Sequence, residues 1–100
     1  MENKRILVLD DNEDILDIVR EVLTYENFEV KVISEARDFM NIVKGFAPHL
    51  ILLDFKLHDG HGGELCRAVK SDPAFSGIPV VIFTAYAHPN MDFSVYGPDH

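Results

Sequence analysis

Three acids and a hydroxyl stand where this chain could do chemistry. Asp10 and Asp11 close an apolar run, Ile6-Leu7-Val8-Leu9. Asp54 closes a second run, Leu50-Ile51-Leu52-Leu53, and Thr84 follows a third, Val80-Val81-Ile82-Phe83. Adjacent carboxylates repel unless a cation sits between them or water screens them. In a parallel α/β sheet, ligands bind outside the carboxyl ends of the strands. Strands delivering acid-acid, acid and hydroxyl to one edge make a small acidic cup for a hard divalent cation.

The elements that must hold these residues follow from periodicity. Residues 5–10 form a buried parallel strand, its run 6–9 being continuously apolar up to the acid. Ile15, Ile18, Val19, Val22 and Leu23 then recur at helical spacing, predicting an amphipathic helix from Glu13 to about Glu26. Asp11 or Asn12 caps it, and Glu13, Asp14 and Asp17 complement its positive end. That role, rather than metal binding, is assigned to those three acids. Residues 28–33 form a second strand. Ser34 is the expected N-cap of a second helix with Ala36, Phe39, Met40 and Val43 on one face and Gly45 as its stop. Residues 49–54 form the third strand and residues 58–63 a Gly-rich loop. A short helix over 64–70 buries Leu65 and Val69. Residues 78–84 form the fourth strand, and residues 89–96 a fourth helix with Pro89 in its first turn. This β-α-β-α-β-α-β-α order implies a mostly parallel, doubly wound sheet with helices on both faces and right-handed crossovers.

Composition narrows the function. One hundred residues make a single domain, residues 1–100. The net charge of −8 argues against direct contact with nucleic acid, which is led by Lys and Arg. No apolar run is long enough to span a bilayer and no basic stripe suits a membrane surface. The first five residues lead straight into a strand, leaving no signal peptide. Cys66 is the single cysteine, so no internal disulfide forms. A reducing cytoplasm is the expected location. His58 and His61 flank Asp59-Gly60, a poor spacing for a transition metal, and are read as solvated loop histidines. Cys66 is read as a small core or helix-surface residue.

These residues resemble a family. Leu-Asp-Asp at residues 9–11, Leu-Leu-Asp at 52–54, Leu-x-Asp-Gly-x-Gly at 57–62 and Phe-Thr-Ala at 83–85 come in the order of the receiver domain of two-component response regulators. Each motif is weak alone; together they are specific, and they cover essentially the whole chain. The resemblance implies a flavodoxin-like (CheY-like) three-layer sandwich. It makes Asp54 the phosphoacceptor, taking a phosphoryl group from a partner's phosphohistidine. Asp11 and Asp54 then ligate Mg²⁺ (or Mn²⁺) directly, Asp10 helps through water, and the Lys56 backbone carbonyl is a further ligand. Thr84 and the Ala85 backbone N–H bond phosphoryl oxygens. Lys56 and Tyr86 flank the phosphoryl group. The implied partner is a histidine kinase or histidine phosphotransfer protein. Such a module is not a conventional enzyme; it catalyses only its own phosphorylation and dephosphorylation.

The chain departs from the receiver pattern in two places. His58 stands where receivers often carry Pro. No Lys or Arg follows Lys70, whereas receivers carry a Lys at the mouth of a fifth strand and then a fifth helix. On this reading the domain is incomplete at its C-terminus, lacking that strand and helix. The fourth strand is then an open edge, beside an uncovered apolar groove. An open, uncharged edge invites a homo-oligomer. The missing Lys also supports a rival reading, a receiver-like protein-interaction domain that is not phosphorylated. A third, a Mg²⁺-dependent phosphatase, usually wants a second acid two residues after the nucleophile. Asn12 and Lys56 occupy those places after Asp10 and Asp54.

Overall fold

The computed structural model describes residues 3–54, 56–57 and 60–83. Four strands form one parallel sheet: β1 (Arg5–Leu9), β2 (Glu29–Ile33), β3 (Leu50–Asp54) and β6 (Val80–Phe83), in the order β2-β1-β3-β6. Between β3 and β6, β4 (Lys56–Leu57) and β5 (Gly60–His61) pair as a small antiparallel ribbon. Three helices make the crossovers: α1 (Glu13–Tyr25), α2 (Phe39–Phe46) and α3 (Gly62–Ser71).

Side chains alternate across the sheet, and the core divides accordingly. Ile6 and Val8 face α1, packing with Leu16, Val19 and Leu23. Leu7, Leu9, Ile51, Leu53, Val80 and Ile82 face the other way, packing with Phe39 and Val43 of α2 and Cys66 and Val69 of α3. The central strands are therefore covered on both faces, which is why their sequences read as unbroken apolar runs. Cys66 is fully buried.

The helix ends have physical causes. Phe28 N–H donates to Leu23 O and Asn27 N–H to Thr24 O, both at 3.0 Å, with Asn27 at φ 71°. This is a Schellman stop using Asn in place of Gly. Leu23 and Phe28 both pack on the α1-side core beneath it.

The second helix departs from expectation at both ends. It begins at Phe39 rather than after Ser34. Asp38 is left-handed at φ 61°, and Phe39 N–H closes a turn onto Ala36 O at 3.0 Å. The helix also runs through Gly45 and stops at Ala47, left-handed at φ 51°. The stop comes from Pro48, whose ring disfavours helical geometry in the residue before it. The Gly-rich loop expected over 58–63 is shorter than predicted, since residues 60–61 are strand and α3 already starts at Gly62. The helix expected over 89–96 lies outside the described residues.

Two side chains brace the connections. Arg5 Nε donates to Ala47 O at 2.8 Å, while Arg5 N–H donates to His49 Nδ1 at 2.9 Å. Lys70 Nζ donates to Ile78 O at 2.8 Å, tying the connector to α3 just before β6. On α1, Ile18 (62% exposed), Val22 (55%) and Tyr25 (84%) form an apolar stripe that the described residues do not cover.

Candidate metal centre at the carboxyl ends of β1 and β3

Strand register assembles the site. Leu9 pairs with Leu53 across β1 and β3, so the next residue on each strand, Asp10 and Asp54, falls side by side. Asp11 follows Asp10 as the chain turns into α1. Carboxylate oxygens of Asp10, Asp11 and Asp54 all lie within 4.8 Å of one another. Asp10 is buried, Asp54 partly buried and Asp11 exposed. The cluster therefore runs from a buried floor to an open rim.

The α1 N-terminus is held against this floor. Asp10 Oδ1 accepts the Asn12 N–H at 2.9 Å. Asn12 is the N-cap, its Oδ1 accepting from Asp14 N–H at 3.0 Å and Ile15 N–H at 3.3 Å. The sequence left Asp11 and Asn12 as alternative caps; Asn12 takes that role, leaving Asp11 to the cluster. Asn12→Ala should cost about 1 kcal/mol, read as a lower urea midpoint at unchanged slope. A shift of no more than a few tenths would mean that water satisfies those N–H groups instead.

Burial pushes the Asp10 carboxyl above its ordinary value, and the neighbouring Asp11 adds to this; the Asn12 N–H opposes it. The main cause is loss of solvent around a charged group, with the Asp11 charge beside it. A cation removes that conflict. The donor set suits a hard cation: all oxygen, no thiolate or imidazole, at mixed burial. An open cavity of 440 Å³ adjoins the rim, lined by Asp11, Glu13, Asp14, Ser34 and Glu35. At roughly 30 Å³ per water it leaves room for a cation's remaining waters. Sequence periodicity does not mark Ser34 or Glu35 as site-lining residues. They reach this place because the chain does not enter α2 until Phe39.

Of the other expected site residues, Lys56 lies two beyond Asp54, in β4, opposite His61. Phe83 pairs with Asp54 across β3 and β6. Thr84, Ala85 and Tyr86 follow Phe83 and lie outside the described residues, as does His58.

The fold and the carboxylate cluster meet in one family. The chain belongs to the response regulator receiver domains, whose family model matches residues 6–97. It is 35% identical over 82 residues to the DNA-binding response regulator MtrA of Mycolicibacterium paratuberculosis, covering 82% of this chain and 35% of that protein. It thus spans about a third of the length of that curated relative. A CheY-like receiver domain protein of Methanospirillum hungatei matches at a TM-score of 0.86 and 30% identity, covering 98% of this chain and 78% of that one. The phosphorylated cyanobacterial phytochrome response regulator RcpA matches at a TM-score of 0.77 and 28% identity, covering 87% of this chain and 69% of that one. The parallel sheet flanked by helices is accordingly the CheY-like, flavodoxin-like fold. No helix among the described residues is long and apolar enough to cross a membrane.

Proposed function

We propose that this chain is the phosphoacceptor module of a two-component relay, working in the cytoplasm. It receives a phosphoryl group on Asp54 from a phosphohistidine of a histidine kinase or histidine phosphotransfer protein. The observation that carries this reading is the convergence of Asp10, Asp11 and Asp54 within 4.8 Å at the carboxyl ends of β1 and β3. The match to a regulator described as phosphorylated supports it.

The chemistry assigned to these residues is a displacement at phosphorus. An Asp54 carboxylate oxygen forms the new O–P bond as the P–N bond to the donor imidazole breaks, the electron pair returning to the ring nitrogen. Mg²⁺ or Mn²⁺, held by Asp10, Asp11, Asp54 and the Lys56 carbonyl, would neutralise charge on the phosphoryl oxygens. Asp10 anchors the α1 N-terminus through the Asn12 N–H, so the floor of the cup stays fixed while its rim takes the donor. Thr84 and the Ala85 N–H are assigned the other phosphoryl oxygens. Phosphoryl transfer needs positioning and charge neutralisation more than covalent help, and these residues supply both.

The test uses a small acyl-phosphate donor with Mg²⁺ and intact-mass detection. One phosphoryl group should add, peptide mapping should place it on Asp54, and Asp54→Asn should abolish it. No labelling at saturating metal, with the fold intact, would overturn the phosphoacceptor reading and leave a receiver-like interaction domain.

A further inference from the structure

Among the described residues, strand order puts β2 at one edge of the sheet. Its inward backbone groups are engaged: Glu29 N–H donates to Lys4 O at 2.9 Å, and Ile33 O accepts Asp10 N–H at 3.2 Å. Backbone groups of successive strand residues point to opposite sides. Glu29, Lys31 and Ile33 therefore serve β1, while Val30 and Val32 aim their N–H and C=O groups away from the sheet. Such an edge is a template for another strand.

The side chains say which strand. Glu29 and Lys31 are exposed and, two residues apart, share one face. Neither is in an ion pair among the described residues. We propose that β2 pairs antiparallel with β2 of a second copy of this chain, about a twofold axis at Val30. In that register Glu29 of each copy lies directly across from Lys31 of the other. Val30 exchanges two hydrogen bonds with its counterpart, and Val32 N–H meets the Phe28 carbonyl of the other copy. The Phe28 N–H is already bonded to Leu23 O, so the ladder ends there.

Charge selects this register. The neighbouring registers that keep the same backbone facing set Lys31 against Lys31, or Glu29 against Glu29. Opposite charges directly across an antiparallel pair stabilise it, and like charges destabilise it. The twofold also reverses strand direction, so the two carboxylate clusters lie at opposite ends of the joined sheet and stay clear of each other. The pairing does not depend on phosphorylation.

Sedimentation of the full chain, from low micromolar to near-millimolar concentration, tests the proposal. Wild-type chain should form a dimer as concentration rises. Lys31→Glu should weaken it about tenfold, by turning two attractions into repulsions. Glu29→Lys should weaken it similarly, although it makes the net charge of −8 less negative and so reduces general repulsion. The double exchange, Glu29→Lys with Lys31→Glu, should restore affinity to within roughly threefold. Lys44→Glu, exposed on α2, adds the same negative charge away from the edge and should leave the dimer unchanged. Val30→Pro removes an outward N–H, a change an edge strand tolerates, and should leave a folded monomer. A monomer at every concentration overturns the proposal. So does a dimer that either single charge reversal leaves unchanged or tightens.

Discussion

Asp10→Asn should raise the stability of the metal-free protein at neutral pH and, in the same molecule, weaken its response to Mg²⁺. Asp10 is 2% exposed beside two other carboxylates, and burial raises its pKa above the ordinary 3.8. A raised carboxyl favours folding while protonated. That contribution is complete below 3.8 and is lost as pH climbs through the folded-state value. At neutral pH the ionised group is a net cost, which the amide removes while its oxygen can still accept the Asn12 N–H. The gain should show as a higher Tm for the variant at neutral pH. It should fade as the medium is taken below pH 4, where both forms are neutral. With metal the order changes. At ten times Kd, a cation adds about 1.4 kcal/mol to the wild-type protein, and the variant, lacking one carboxylate, should gain less. Paired melts with and without Mg²⁺, at neutral and acid pH, read all of this. A variant less stable than wild type in metal-free neutral buffer would show that Asp10 holds the fold rather than straining it.

Phe39→Ala should be the most damaging single change in the core. Phe39 is 2% exposed and heads the largest fully buried side chains. It also opens α2, a helix of 8 residues with no side-chain cap and a left-handed residue before it. Helices shorter than about 12–15 residues are marginal in water, so α2 depends on what Phe39 and Val43 bury. Truncation of a buried Phe costs about 3–5 kcal/mol, against a total of about 5–15 kcal/mol for an ordinary domain. The variant should lose most of its stability to urea. Phe46, only half-buried at the other end of α2, should cost clearly less when cut to Ala. Equal losses at the two positions would mean that α2 is held along its length rather than by its first turn.

The sheet and the carboxylate cluster were legible in the sequence because both rest on strand ends. An unbroken apolar run closed by an acid fixes direction and face at once, and parallel pairing then sets Asp10 beside Asp54. The start of α2 was not legible. Ala36, Phe39, Met40 and Val43 keep a helical period, yet the backbone reverses at Asp38, and periodicity is silent about a left-handed residue. Its end misled for a related reason: Gly45 is the familiar stop, but Pro48 acts through Ala47. The acidic cavity was hidden by the same error, since Ser34 is expected as a helix cap rather than as a wall beside Asp11. The edge pairing of β2 needed the backbone bonds of Glu29 and Ile33, which composition does not reveal.

Cys66 gives the molecule a built-in reporter. It is the sole thiol in the chain and is completely enclosed, so a thiol-reactive dye reaches it only when the structure opens. With fast reclosing, the labelling rate measures the population of open molecules. A cation that binds only the folded state should then slow labelling by the factor 1 + [L]/Kd. The affinity of a weak, spectroscopically silent ion could thus be read from a thiol in the core, with every carboxylate left in place.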